Sequence, residues 1–400
     1  MSRYLGASSE VLVAVDLPPG PAWLDVLWDL WTEGVSFLPL DRRLTDRERR
    51  AVVELARPAS IITEDDEVLF ADPAPIDPEQ AAIVVATSGT AGAPKLVTLS
   101  RAALSSGVGL SCGALGESVG QVALDPSEPW VACLTPAHIG GLLVLLRRLI
   151  VASPVTVLEG FDAATLIEQA PAGAHVALVP AMLRRLVEVD ADLSALGVLL
   201  VGGGAVDPEL GAAAAHLGGR VVTTYGLTET CGGIAYDGRL FEDTQVRIAD
   251  GQIELHGPTL MGGYRHDPAA TAAAFTLDGW LRTGDVGVIG DDGLVTVRGR
   301  MNEAIRTGAE TVWPQEVESV LRDHPKVVDV AVAGRPDPEW GERVVAFVVA
   351  AREDDPPTLE ELRAHVSERI ARFKAPKRLV LVEGLPRTAS GKLRRGALPG

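Results

Sequence analysis

Between residues 130 and 222, short apolar runs alternate with stretches that carry helix signals. Runs at 130–134, 155–158, 174–179, 198–201 and 220–222 read as strands, and 142–150, 162–169, 181–189 and 208–217 read as helices between them. Strands separated by helices need crossover connections, so the pattern restricts the chain to a layered α/β body with largely parallel sheets. Asp207 and Pro208 supply a cap and a first-turn proline where a helix start wants them. Upstream, strands are expected at 11–15 and 60–63, and helices at 23–31, 44–56 and 101–113.

One strand of this body runs into unusual chemistry. The apolar run 82–86 passes into Thr87, Ser88, Gly89, Thr90, Ala91, Gly92, Ala93, Pro94 and Lys95. Glycine allows close backbone approach, hydroxyls and N–H groups can wrap a polyanion, and the lysine adds a mobile charge. The pattern is not the GxxxxGK[ST] loop of ATPases. A polar surface loop between two strands is the plainer alternative.

Three later stretches have a similar character. Gly202-Gly203-Gly204-Ala205 ends a strand, either as a seat for a flat purine or as a tight strand-to-helix turn. Residues 223–230, TTYGLTET, read as one short loop bearing a carboxylate, an aromatic ring and four threonines. Mg²⁺ takes few protein oxygens together with substrate phosphates, and Glu229 and Thr90 suit that task. From 246 onward, short β-type runs split by glycine turns read as an antiparallel subdomain. Within it Asp285 reads as a turn residue, able to accept two ribose hydroxyls or to serve as an ordinary hairpin aspartate.

Beyond residues 298–303 lies an α+β stretch of about a hundred residues, an ordinary domain size. A helix is expected from Pro314, strands at 327–333, 344–349 and 378–382, and an amphipathic helix at 359–370. The chain then reaches Lys392 in a Gly/Ser turn, a compact point cation or one charge of a solvated basic tail. The net charge of −18 argues against nucleic-acid and anionic-membrane partners, although residues 360–400 hold ten Lys/Arg against four Asp/Glu. Cys112, Cys133 and Cys231 fit no metal or disulfide spacing and are expected as reduced thiols in a cytoplasmic protein. No apolar run is long enough to cross a bilayer, and the first twenty residues do not read as a secretory leader.

Taken in order, TSGTAGAPK (87–95), GGGA (202–205), TTYGLTET (223–230), LRTGDVG (281–287), GRMNEAIRTGAETVWPQEVE (299–318) and PRTASGKLRR (386–395) resemble the motifs of the adenylate-forming superfamily. That family includes acyl- and aryl-CoA ligases, firefly luciferase and peptide-synthetase adenylation domains. The resemblance implies a large N-terminal domain over 1–299 that binds nucleotide and acid. It implies a small mobile C-terminal domain over 300–400, with a hinge about 300–303. It further implies ATP, Mg²⁺ and coenzyme A, a small carboxylic acid substrate, and a homodimer as a candidate assembly.

Carried over by position, the resemblance gives Thr87, Ser88, Gly89, Thr90 and Lys95 the β- and γ-phosphates. It sets Gly203, Gly204 and Ala205 beside the adenine, with Tyr225 stacked on it and Gly226 and Thr228 in the same nucleotide-binding segment. Glu229 and Thr90 hold Mg²⁺. Asp285 binds the ribose hydroxyls and Arg300 supports it. Lys392 bridges the acid and the α-phosphate, and the 306–310 loop lines the path of the thiol. Four positions depart from the usual residues: Ala91, Leu96, Asn302 and Ala309.

Fewer than ninety residues precede the phosphate loop, and with PAHIGGLLVLLRRL (136–149) this resembles the o-succinylbenzoate–CoA ligase branch of menaquinone biosynthesis. That likeness sets His138, with Lys392 and Glu229, among the catalytic residues, beside the aromatic acid. A helix-start histidine satisfied by backbone is the alternative. Arg147 or Arg148 is a candidate for a second carboxylate. The expected activity is acid–CoA ligation through an acyl-adenylate. Another aryl or acyl acid, a carrier-protein thiol, or a non-catalytic nucleotide-binding relative are the competing readings.

Overall fold

The computed structural model describes residues 10–88, 94–118, 125, 127–308, 310–387 and 393–400, and of Ser88, Glu117 and Ser118 the backbone alone. They form two compact units, Met1–Val246 with Leu255–Leu281, and Arg247–Glu254 with Arg282–Gly400.

The first unit holds two seven-stranded sheets. In one, Leu12–Val15, Ser36–Pro39, Ser60–Ile62 and Ile83–Ser88 run parallel, and Pro94–Leu99, Gly263–Tyr264 and Glu67–Leu69 add antiparallel edges. In the other, Val155–Val157, Trp130–Ala132, His175–Leu178, Val198–Val201 and Arg220–Leu227 run parallel. Gly232–Tyr236 and Arg239–Leu240 extend it antiparallel. The parallel strands are bounded by the helices Ile139–Ile150, Ala163–Gln169, Pro180–Glu188 and Pro208–His216. Asp162 and Asp207 cap two of these through side-chain oxygens, Asp207 as expected and Asp162 one residue before its helix rather than within it. Trp23, Phe37 and Trp130 are wholly buried. Each such ring withdraws about 150–250 Å² from water, a stabilisation of roughly 4–6 kcal/mol before entropy is counted.

The second unit pairs a four-stranded sheet with an α+β layer. Gln245–Ala249, Gln252–His256, Leu281–Ile289 and Val295–Arg300 follow one another in the first. In the second, Gly341–Ala350 lies between Val327–Asp337, antiparallel, and Arg378–Leu381, parallel. The helices Pro314–Arg322 and Leu359–Ser367 bury Val317, Leu321, Leu362 and Val366 against this sheet. Thr358 and Glu361 close a reciprocal cap at the start of the second helix.

Two expectations are corrected. The stretch 223–230 is not one loop: the strand continues to Leu227, and Thr228–Thr230 alone turn as a short 3-10 helix. The cause is Gly232–Tyr236, which pairs back on it with Tyr225 opposite Ala235 and supplies the ladder that keeps the chain extended. Asp285 is not in a turn either. It lies within Leu281–Ile289, opposite Arg300 of Val295–Arg300, next to a bulge between Val286 and Gly287. Glycine on both sides suggests a bend, but an antiparallel partner and close packing at Gly287 use that freedom differently: a Cβ there would fall 2.6 Å from the Thr296 carbonyl oxygen.

Candidate active site

The described residues on either side of the expected phosphate loop lie on two paired strands. Ile83–Ser88 and Pro94–Leu99 pair antiparallel with Thr87 opposite Lys95, and the Thr87 hydroxyl reaches the Lys95 carbonyl at 3.5 Å. Gly89 and Thr90 lie outside the described residues, as does the side chain of Ser88. Lys95 is described, and its Nζ stands 4.5 Å from the ring centre of Tyr264. The Tyr264 hydroxyl in turn donates to Oε1 of Glu229 at 2.9 Å. One tyrosine therefore joins the two charges that the sequence holds far apart.

Local structure explains the meeting. Tyr264 pairs opposite Val97, two residues from Lys95 on the same strand. Residues two apart on a strand share a face, so Lys95 and Tyr264 project to one side. Glu229 stands at the end of the strand Arg220–Leu227, whose inner neighbours run parallel. Such strand ends are where open α/β sheets take ligands. The Thr230 hydroxyl, wholly buried, donates to the Gly232 carbonyl at 2.7 Å and accepts the Leu227 N–H at 2.8 Å, which fixes the turn that presents Glu229.

The glycine turn lies beside the same strand. Val201 pairs with Thr223, and a Cβ on Gly202 would fall 2.5 Å from Cγ2 of Thr224. Gly203 adopts φ +75°, and Gly203, Gly204 and Ala205 are exposed. Tyr225 and Gly226 follow on the adjacent strand, and Thr228 opens the 3-10 turn. A Cβ on Gly226 would come 1.9 Å from the Gly232 carbonyl oxygen, so close backbone packing already accounts for that glycine.

His138 is the residue before the helix Ile139–Ile150, and its side chain makes no cap bond. Its Nε2 lies 3.2 Å from Oδ2 of Asp41, at ion-pair distance but out of line for a hydrogen bond. Asp41 is buried, and burial opposes its charge. The two-point fork of Arg43, together with His138, outweighs that and holds the carboxyl well below the usual carboxylate range. Sequence reading passed over Asp41. In the run LPLDRR nothing but tertiary contact marks it.

Arg147 and Arg148 separate cleanly. Arg148 is exposed, whereas Arg147 is 3% exposed. The Arg147 guanidinium lies 4.0 Å from the Trp130 ring centre and donates to the hydroxyl of Ser111 and the sulfur of Cys112. Among the described residues no carboxylate faces it. All three cysteines are free, as expected, and burial pushes the Cys133 thiol up to about 12.

In the second unit, Asp285 is buried and its Oδ1 lies 2.8 Å from Nε of Arg300, whose Nη1 donates to the Thr283 carbonyl. Lys392 lies outside the described residues. The chain flanking it is firmly held: Arg387 bridges Leu393, and Arg387 pairs with Asp329 at 2.7 Å. Arg395 reaches Glu303 at 2.8 Å and both oxygens of buried Glu318 at 2.7 and 2.8 Å. The stretch 306–310 is not all loop: Arg306, Thr307 and Glu310 belong to the antiparallel strands Ile305–Thr307 and Glu310–Val312, because each pairs across to the other, while Gly308 takes φ +65° and its N–H donates to the Trp340 carbonyl. Ala309 is outside the described residues.

Among the described residues no group of three or more His, Cys, Asp or Glu is gathered as a metal cage. A single carboxylate with one oxygen engaged by Tyr264 still suits Mg²⁺, which takes one or two carboxylates plus phosphates. No helix among the described residues is long and apolar enough to cross a membrane.

Residues 64–265 match the family described as AMP-binding enzyme, and residues 316–392 match the AMP-binding enzyme C-terminal domain. The chain is 40% identical over 333 residues to a probable 2-succinylbenzoate–CoA ligase of Mycobacterium tuberculosis, covering 80% of this chain and 84% of that protein. It is 33% identical to the 2-succinylbenzoate–CoA ligase of Listeria monocytogenes, over 80% and 70% of the two chains. The o-succinylbenzoate CoA synthetase of Bacillus subtilis, solved with the acyl-adenylate intermediate OSB-AMP, superposes with TM-score 0.85 at 26% identity, over 97% of this chain and 87% of that one. The same enzyme with ATP and magnesium ion gives 0.83 at 25% identity, over 97% and 89%.

Proposed function

The chain belongs to the AMP-binding enzyme family, and we propose that it is an ATP-dependent acid–CoA ligase acting on o-succinylbenzoate. The observation that carries this reading is the line Lys95–Tyr264–Glu229, a cation and a carboxylate joined through one ring at the mouth of a parallel sheet. A carboxylate is a poor acyl donor. ATP converts it to an acyl-adenylate and pyrophosphate, and coenzyme A then displaces AMP to give the thioester. Two anions must meet in the first step, so positive charge must be in place before they do.

Each residue has a task in this reading. Thr87, Ser88, Gly89, Thr90 and Lys95 hold the β- and γ-phosphates. Gly203, Gly204 and Ala205 lie along the adenine, with Tyr225, Gly226 and Thr228 next to them. Glu229, with Thr90, would hold Mg²⁺, which when bound offsets phosphate charge. Asp285, steadied by Arg300, takes the ribose hydroxyls. Lys392 neutralises the acid and the α-phosphate together. The functional boundary falls at 299/300, with rotation about 300–303 letting one chain serve both steps.

The choice of acid rests on Arg147. A buried guanidinium with no carboxylate partner among the described residues costs free energy. o-Succinylbenzoate carries a second carboxylate that would complete the pair, while His138 flanks its aromatic part. The placement is cytoplasmic and the assembly a homodimer. Sedimentation reads the latter.

The test is acid-dependent ATP–pyrophosphate exchange, followed by thioester formation with free coenzyme A, over a panel of aryl and acyl acids. Exchange with o-succinylbenzoate alone, going on to its CoA thioester, supports the proposal. Exchange without transfer to coenzyme A points to a carrier-protein thiol. No exchange with any acid would leave a nucleotide-binding relative.

A further inference from the structure

Residues 259–271 carry none of the motifs that sequence reading singled out, yet they bind both halves of the phosphate site together. The Met261 N–H donates to the Glu229 carbonyl at 2.8 Å. Next, the Gly262 N–H donates to the Thr98 carbonyl at 2.9 Å, and the Thr98 hydroxyl donates to the Gly263 carbonyl at 2.9 Å. Gly263 sits so close to Thr271 that a Cβ would fall 2.7 Å from its Cγ2, and the Thr271 hydroxyl accepts the Tyr264 N–H at 2.8 Å. The backbone on both sides of Tyr264 is therefore fixed, and the ring has a defined place.

From that place the side chain does two things. Its hydroxyl holds Oε1 of Glu229, so the other carboxylate oxygen is the one presented to a cation. Its face takes the Lys95 ammonium. We propose that Tyr264 is a positioning residue that aims Glu229 at the divalent cation and restrains Lys95 toward the polyphosphate, so that metal and lysine act on one nucleotide in register. This deepens the function proposed above and rests on it. Groups that hydrogen-bond a metal-ligating carboxylate orient it, and losing one typically costs 10–100-fold in metal affinity or activity.

The experiment separates the two contacts. Tyr264→Phe removes the hydroxyl and keeps the ring over Lys95. Tyr264→Leu removes both. Binding of ATP is measured calorimetrically on the full chain without acid or coenzyme A, once with Mn²⁺ as the metal probe and once in EDTA. Pyrophosphate exchange is titrated with Mg²⁺ in parallel. Tyr264→Phe is expected to raise the Mg²⁺ needed for half-maximal exchange about tenfold. It should weaken Mn²⁺·ATP binding similarly and leave ATP binding in EDTA within about twofold of the parent. Tyr264→Leu should additionally weaken ATP in EDTA by about threefold through Lys95.

Combined with Glu229→Gln, Tyr264→Phe should add no further loss, because the hydroxyl acts through that carboxylate. Equal weakening with and without metal, or losses that multiply in the double variant, would overturn the proposal. Should the parent chain show no acid-dependent exchange, the ligase reading fails, and the Mn²⁺·ATP titration still decides the role of Tyr264.

Discussion

Arg300, the last residue of its strand, lies with its Nε 2.8 Å from Oδ1 of Asp285 on the antiparallel neighbour, and the Asp285 carboxylate is almost fully buried. Truncating Arg300 to Ala removes that contact from the charge. Loss of about 1.5–3 kcal/mol is expected, as for a hydrogen bond to a charged group. Urea unfolding of the variant measures it. Asp285→Ala should instead raise the KM for ATP more than tenfold with kcat less affected. An unchanged KM would remove Asp285 from the nucleotide.

Arg147 makes the opposite demand. It is buried on Trp130 beside Ser111, with no carboxylate facing it among the described residues. Arg147→Met should therefore leave the melting temperature unlowered, since a buried charge is removed and its volume kept. The KM for o-succinylbenzoate should rise at least tenfold, and turnover of an aromatic monoacid should not. Equal losses for both acids would assign Arg147 to packing.

Arg395 joins the chain just beyond Lys392 to Glu303, next to the proposed hinge. Glu303→Gln weakens that tie while leaving the Glu318 pair in place. Adenylation should slow several-fold, and thioester formation from supplied acyl-adenylate should be spared. Lys392→Ala should show the same division, more severely. Loss of both steps alike would contradict a lysine that serves the first step alone.

Asp41 and His138 can be tested as a pair. Asp41→Asn keeps the shape and removes the charge that Arg43 locks in place. If Asp41 acts by holding the imidazole, then Asp41→Asn and His138→Asn should cost the same in kcat/KM singly and together. A double variant as slow as the product of the two losses would show independent roles.

Stability should fall on the acid side of pH 6.5 through His175. Its Nδ1 accepts the Val198 N–H at 2.8 Å, which requires the unprotonated nitrogen. Burial lowers its pKa and outweighs the opposing pull of Glu128. An unfolded histidine titrates near 6.5, so below that pH the unfolded chain binds more protons. The stabilisation is present above about 6.5 and is lost as pH falls through the folded value. Urea midpoints between pH 7.5 and 5 should drop, and His175→Gln should flatten that slope.

How far the site was legible follows from where its parts lie. Thr87, Gly203, Glu229 and Asp285 stand in short runs whose residue types are unusual together, so local sequence marks them. Element positions were legible for the same reason: the Asp207 cap and the Pro208 after it sit where their helix starts. The strand through Tyr225 and the strand through Asp285 were misjudged, because glycine signals a turn locally and a close approach in the fold.

The sequence alone determined the alternation of strand and helix, the two textures of the chain and the polar runs proposed to bear the chemistry. These depend on spacing and residue type within a few neighbours. Only the tertiary structure decided that Tyr264 stands between Lys95 and Glu229, that Asp41 faces His138, and that Arg147 rather than Arg148 is buried. Those contacts join residues from separate strands and helices. Which side chains meet there is settled by sheet pairing and helix packing, and no local pattern encodes it.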